Sequence, residues 1–270
     1  MSDANSISAV VFDWAGTVVD YGSRAPASVF MEIFRQSGVE ITIAQAREPM
    51  GKAKREHIAS IFRMEDVRGR WIDKYGSAPD DSDIDRLYAE FLPLQKSTLS
   101  NHCDLIPGAL ETVAECRRRG IKIAGTTGYT RELMEVVVPA AAAAGYTPDV
   151  TLAADDVSAG RPAPWLIFEV ARRLDVYPTS TMIKVDDTPV GIHAGRNAGT
   201  WTVGVTRSGN QLGLSKDEVD AMEPELLARR LDEGRQVFEA AGAHFTIESI
   251  ADLPSVLDEV QQRLARNEKP

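Results

Sequence analysis

Five short apolar runs, each closed by a polar residue or a turn, recur through the chain with helical patterns between them. They are Ser8–Asp13, Ile121–Thr127, Asp149–Ala154, Met182–Asp187 and Trp201–Val205. A run that is apolar at nearly every position has no solvent face. It suits a strand covered on both sides, as in a parallel sheet flanked by helices. The segments at 107–119, 129–144, 164–174 and 189–198 carry the spacing of helices and stand between these strands. Strand–helix alternation of this kind predicts an α/β fold with a Rossmann-like parallel sheet. Pro107 reads as a residue of a first helical turn, and Gly120 sits where that helix should stop.

One interval breaks the alternation. From Tyr21 to Asn101 no strand is apparent, and helical patterns cover 26–37, 44–60, 64–75 and 83–99, punctuated by Gly38, Gly51 and Gly76–Pro79. The organisation expected is a catalytic core of residues 1–20 and 102–270, with an inserted α-helical domain at 21–101. No internal repeat is visible.

Composition narrows the function classes. The net charge of −10 on 270 residues repels polyphosphate backbones, so no nucleic-acid partner is expected. No run reaches the roughly 18 apolar residues that cross a bilayer, so no membrane partner is expected. The opening MSDANSISAVVFDW lacks the basic and apolar regions of a secretory leader, and the expectation is a cytoplasmic protein. Cys103 and Cys116 are the two cysteines; their spacing suits neither a zinc site nor a disulfide framework.

In an open parallel sheet, ligands bind beyond the carboxyl ends of the strands. Here those ends carry Asp13, Thr127 and Asp186-Asp187, and Arg161 lies in the turn after the third strand. A carboxylate, a hydroxyl, a cation and further carboxylates are the parts that phosphoryl transfer needs. A carboxylate attacks phosphorus only when the phosphoryl charge is neutralised.

Asp13-Trp-Ala-Gly-Thr17, Thr127-Gly128, Gly160-Arg-Pro162 and Val185-Asp-Asp-Thr188 resemble the four motifs of the haloacid dehalogenase superfamily. More narrowly, FDWAGTVVDYG, EPMGKAK, TTGYTRE and AGRPAPW resemble the phosphonoacetaldehyde hydrolase (phosphonatase) family, and the likeness runs from about 7 to 255. The resemblance implies a Mg²⁺-dependent enzyme of 2-aminoethylphosphonate degradation with a mobile cap. Such an enzyme hydrolyses the C–P bond of phosphonoacetaldehyde to acetaldehyde and phosphate. It implies Asp13 as nucleophile and Lys54, in Pro49-Met50-Gly51-x-x-Lys54, as the amine that forms a Schiff base with the aldehyde. Thr127, the Gly128 N–H and Arg161 are the implied phosphate ligands. Asp13, the Ala15 carbonyl and Asp187 are the implied metal ligands, with Asp186 behind them. Met50 and His57 are placed near the Schiff-base lysine, Tyr129 in the pocket, and the chain in a homodimer.

Two departures from the superfamily pattern bear on the chemistry. Ala15 stands where most of its phosphatases carry a second aspartate that protonates a leaving oxygen. Gly191 stands where a further aspartate is common. The alternative weighed against C–P cleavage is a Mg²⁺-dependent phosphate-ester hydrolase of the same fold, which Ala15 disfavours. A phosphoacceptor regulator is a further alternative, but it needs neither the insertion nor a buried amine.

Overall fold

The computed structural model describes residues 5–270. The chain runs β1 (Ala9–Phe12), α1 (Arg24–Gln36), α2 (Ile43–Arg47), α3 (Lys54–Arg63), α4 (Glu65–Tyr75), α5 (Asp81–Leu99) and α6 (Ala109–Arg118). It continues through β2 (Lys122–Thr126), α7 (Arg131–Ala143), β3 (Val150–Leu152), α8 (Trp165–Leu174), β4 (Met182–Asp186), α9 (Pro189–Asn197) and β5 (Trp201–Val205). It closes with α10 (Lys216–Asp220), α11 (Pro224–Ala240), β6 (Phe245–Ile247) and α12 (Leu253–Ala265). The six strands form one sheet in the order β3-β2-β1-β4-β5-β6, parallel throughout. The α/β class and the parallel sheet are as the alternation predicts.

β1 sits in the middle because both of its faces are apolar. Val10 and Phe12 pack with α6, α7 and α12 residues such as Val113, Leu133 and Leu257; Ala9 and Val11 pack with Leu166, Val170 and Ala194 of α8 and α9. Strand order reverses at β1, between β2 and β4, which is where an open α/β sheet offers a crevice. The register aligns Phe12 with both Gly125 and Val185, so the chain ends of the three central strands lie level. Asp13, Thr126 and Asp186 are therefore neighbours at one edge of the sheet.

Helices α1 to α5 fill the interval between β1 and β2. They form a separate apolar cluster around Phe30, Phe34, Ile58, Phe62, Trp71 and Phe91. Aromatic pairs join it, among them Phe30–Phe91 with centroids 4.4 Å apart and Phe62–Trp71 at 4.7 Å. Two stretches of chain lead in and out side by side: Ile106 N–H donates to Val18 O at 2.7 Å, and Val19 pairs antiparallel with Leu105. Asp20 caps α1, accepting from the N–H groups of Arg24 and Ala25 at 3.1 and 3.0 Å. The same carboxylate meets His102 Nδ1 at 3.1 Å, so the two connections are tied to each other.

The helical pattern expected over 44–60 is broken in the structure. α2 stops at Arg47, Glu48–Ala53 form turns, and α3 begins at Lys54. Pro49 cannot donate an interior helical hydrogen bond, and Gly51 adopts φ +93°, which ends the helix. Lys54 thus stands at the first turn of a helix rather than in its middle. The smaller helix α10, helices α11 and α12 and the edge strand β6 were not foreseen. No helix among the described residues is long and apolar enough to cross a membrane. Cys103 and Cys116 are free and buried.

Candidate active site

A small, partly open cavity lies at the carboxyl edge of the central strands, beneath the Glu48–Ala53 turns. Asp13, Ala15, Met50, Lys54, Thr127, Gly128, Tyr129, Arg161 and Asp187 all line it. Nine of the residues singled out from sequence therefore converge on one space, with Asp186 beneath it. His57 does not line that space.

The floor is a buried ion network. Arg161 places its Nη2 2.6 Å from Asp13 Oδ1 and its Nη1 3.2 Å from Asp186 Oδ2. It also donates to Thr126 O and Oγ1 at 2.5 and 3.1 Å, which fixes the plane of the guanidinium. Lys184, fully buried in β4, lies 2.8 Å from Asp186 Oδ2. Lys184 and Asp186 are two apart on one strand and so share a face. Burial alone would push the Asp186 carboxyl up, but Arg161 and Lys184 outweigh it and hold Asp186 below its ordinary value. For Asp13 burial wins over Arg161, and its carboxyl is raised.

Asp187 is treated differently from its neighbour. Asp186 is held by Thr188, whose N–H and hydroxyl donate to Oδ1 at 3.0 and 2.7 Å. Asp187 has one bond, from Asn210 N–H to Oδ2 at 2.8 Å, and its Oδ1 has no protein partner although it is buried. Burial, with Asp13 and Asp186 close by, pushes this carboxyl well above its ordinary range. Oxygens of Asp13, Asp186 and Asp187 lie within 4.8 Å of one another. Three buried carboxylates repel one another unless a cation joins them. An all-oxygen donor set with an orphaned buried oxygen fits a hard divalent cation. Asp187, with the free oxygen, is better placed to bind it than Asp186, whose oxygens are engaged.

Two glycines make room for this network. A Cβ on Gly16 would lie 2.1 Å from Asp187 Oδ2, and one on Gly191 only 1.9 Å from the Asp186 carboxyl carbon. An aspartate at 191 is therefore incompatible with this placement of Asp186.

The roof comes from the helical insertion. Lys54 is buried, with Nζ 4.6 Å from the Tyr129 ring centroid and 5.5 and 5.9 Å from those of Phe30 and Phe91. Desolvation drives its amine down to about 7, only partly opposed by the charge of Asp13. The turns that carry it lie hard against the core. A Cβ on Gly128 would meet Lys52 O at 2.7 Å, and one on Gly51 would meet Thr188 Oγ1 at 2.5 Å. Lys52 points elsewhere, donating to Ser60 Oγ at 2.8 Å.

His57 lies behind Lys54. Its ring stacks on Phe30 at 3.7 Å, and Nε2–H donates to Ala46 O at 2.9 Å, leaving Nδ1 without a partner. Burial, with Lys54 as the next cause, lowers its pKa well below the usual histidine value. The imidazole is neutral. The Thr127 hydroxyl accepts from Tyr129 N–H at 3.1 Å, and the buried Tyr129 hydroxyl has no partner. Trp14 packs edge-on to Tyr146 at 5.2 Å and takes no part in the lining. Lys184 and Asn210 were missed by the sequence reading; a lysine inside an otherwise apolar strand was the one available signal.

A strand-end carboxylate under an arginine, beside an acidic cluster that could hold a cation and at the edge of a parallel Rossmann-like sheet, defines a phosphoryl-transfer hydrolase. The sequence model of the haloacid dehalogenase-like hydrolase family matches residues 7–199. The chain is 48% identical to a phosphonoacetaldehyde hydrolase from Paraburkholderia xenovorans over 98% of its own length and 99% of that protein's. It is 47% identical to one from Paraburkholderia phytofirmans, with the same coverage. The crystal structure of a phosphonoacetaldehyde hydrolase-like protein from Oleispira antarctica superposes with a TM-score of 0.97 at 43% identity, covering 99% of this chain and 97% of that one. The chain belongs to the phosphonoacetaldehyde hydrolase family of haloacid dehalogenase-like hydrolases.

Proposed function

We propose that this protein hydrolyses the C–P bond of phosphonoacetaldehyde, giving acetaldehyde and phosphate, in the breakdown of 2-aminoethylphosphonate. One observation carries the reading: a buried amine with its pKa drawn to about 7, delivered by the helical insertion, shares a cavity with the strand-end carboxylate Asp13. An ester hydrolase has no use for that amine, and it needs the acid that Ala15 does not supply.

Residues 21–101 act as the cap and residues 1–20 and 102–270 as the catalytic core. The neutral Lys54 amine adds to the aldehyde carbon and loses water to form an imine, protonated to an iminium. Asp13 attacks phosphorus. As the P–O bond forms, the C–P bond breaks and its electron pair moves into the iminium, leaving an enamine on Lys54. Water hydrolyses the aspartyl phosphate to Asp13 and phosphate. Protonation of the enamine carbon and hydrolysis of the resulting iminium release acetaldehyde and restore the amine. Arg161, Thr127 and the Gly128 N–H hold the phosphoryl oxygens, and Arg161 exchanges its contact with Asp13 for them. Asp13, the Ala15 carbonyl and Asp187 would hold Mg²⁺, which would supply the charge neutralisation that lets two anions approach. Met50 and Tyr129 shape the pocket around the imine, and His57, as a neutral base beside Lys54, assists proton transfer to and from the amine. The enzyme works in the cytoplasm as a homodimer, the state its family resemblance implies.

The test is phosphate release with Mg²⁺, comparing phosphonoacetaldehyde with p-nitrophenyl phosphate. Turnover of the phosphonate with little or none of the ester supports the reading. The opposite preference makes the protein a phosphate-ester hydrolase.

A further inference from the structure

Arg47, at the end of α2, reaches out of the helical insertion and into the core. Its Nη1 donates to Gly22 O at 2.9 Å and to Asn210 Oδ1 at 3.0 Å; its Nη2 donates to Gly213 O at 2.9 Å. Among the described residues no carboxylate stands within ion-pair distance of it, so the fork is spent on neutral oxygens: Asn210 and Gly213 in the core, and Gly22 O with Ser23 O (3.4 Å) where the insertion begins. The fit is close: a Cβ on Gly213 would lie 2.6 Å from Arg47 Cζ. The grip is also reciprocal. Asn210 Nδ2 donates back to Arg47 O at 3.3 Å, the same carbonyl that accepts Met50 N–H at 3.0 Å and so starts the turn leading to Lys54. Asn210 has a second role, because its backbone N–H is the one hydrogen bond that orients Asp187. One core residue thus holds the insertion through its side chain and the acidic cluster through its main chain.

We infer that Arg47 is a positioning residue that latches the Glu48–Lys54 segment shut over the site and, through Asn210, ties that closure to the setting of Asp187. The inference rests on the proposed reading only in that the closed cavity is the working one. Closing a lid over a reacting centre needs contacts that form only in the closed state, and a planar five-donor fork that meets Asn210 Oδ1 and Gly213 O across the junction, while Gly22 O braces it from the insertion's own start, provides them. A lysine at this position keeps the charge but reaches one or two of those oxygens.

The experiment is amide hydrogen exchange of the full chain, without substrate, for wild type, Arg47→Ala, Arg47→Lys and Asn210→Ala. Charge-assisted bonds of this number predict exchange roughly 10- to 100-fold faster in peptides covering 48–54 and 127–129 for Arg47→Ala, and a smaller increase for Arg47→Lys. Peptides of β1, β2 and β4 should keep wild-type protection. Asn210→Ala retains the backbone N–H to Asp187 and the Arg47 bonds to Gly22 O and Gly213 O, so it should open the segment alone and less than Arg47→Ala does, and the double variant should open it at least as far as Arg47→Ala. Unchanged exchange at 48–54 overturns the latch, and so does a loss of protection spread evenly over the strands. Because no substrate is present, the result stands whether or not the protein cleaves phosphonoacetaldehyde.

Discussion

Lys54 Nζ lies 4.6 Å from the centroid of the Tyr129 ring, although Lys54 opens a helix of the insertion and Tyr129 follows β2 of the core. The contact requires the two parts to be pressed together. The ring face then offers the amine an apolar but electron-rich wall in place of water. Cation–π attraction of about 1–2 kcal/mol favours the ammonium, yet desolvation exceeds it, and the amine falls to about 7.

That balance predicts a pH profile. The rate of imine formation depends on the neutral amine, so kcat/KM should rise with pH through about 7 and then level off. The same shift acts on stability with a definite sign. The folded-state pKa is below the unfolded value of 10.5, so between about 7 and 10.5 the unfolded chain holds the extra proton. Lys54 therefore makes the fold more stable as pH rises across that window. Kinetics from pH 5.5 to 9 check the first statement, and an acid limb that stays near pH 9 contradicts it.

Gly128 is where the roof touches the floor. A methyl group there would sit 2.7 Å from Lys52 O and 3.0 Å from Gly51 O, both main-chain atoms that cannot swing aside. Gly128→Ala should hold the insertion about an ångström away and lower kcat/KM on the order of 10²-fold. Its φ does not require glycine, so the thermal midpoint should move by no more than a few degrees. Wild-type kinetics in this variant would show that closure is not needed for turnover.

The acidic cluster predicts opposite effects on stability and activity. Asp187→Asn removes one of three mutually repelling carboxylates. Without metal the variant should be more stable by about 1 kcal/mol, or roughly 2–4 °C in midpoint. Added Mg²⁺ should raise the wild-type midpoint and leave that of the variant nearly unchanged. Thermal scans with and without Mg²⁺ and with chelator decide it; equal shifts for both proteins contradict Asp187 as a ligand.

The catalytic floor was readable because buried parallel strands announce themselves as unbroken apolar runs, and their ends mark the crevice. Asp13, Thr127 and the Asp186-Asp187 pair stand at those ends by position alone, whereas the preference for Asp187 over Asp186 comes from the family resemblance. β6 was not: Phe245–Ile247 is three residues long and half-buried, too short to show a pattern. The pattern over 44–60 misled because α2 and α3 each keep helical spacing, while the break between them depends on Gly51 fitting against Thr188. Beyond standing in an apolar strand, Lys184 carried no functional signal of its own, since its partners Asp186 and Arg161 become a network only when the fold assembles them. Arg47 and Asn210 are separated by 163 residues, and no local pattern links them. His57 lies three residues after Lys54 on α3, but its ring packs behind the amine against Phe30 and does not line the cavity.

The account turns on Lys54 as the amine that receives the electron pair of the C–P bond. Sodium borohydride added with phosphonoacetaldehyde, or with acetaldehyde, reduces an imine to a stable secondary amine. The account predicts irreversible inactivation and one ethyl group on the peptide that holds Lys54, with no label and no C–P cleavage in Lys54→Arg. Labelling of another lysine, no labelling at all, or continued C–P cleavage by the arginine variant would contradict it.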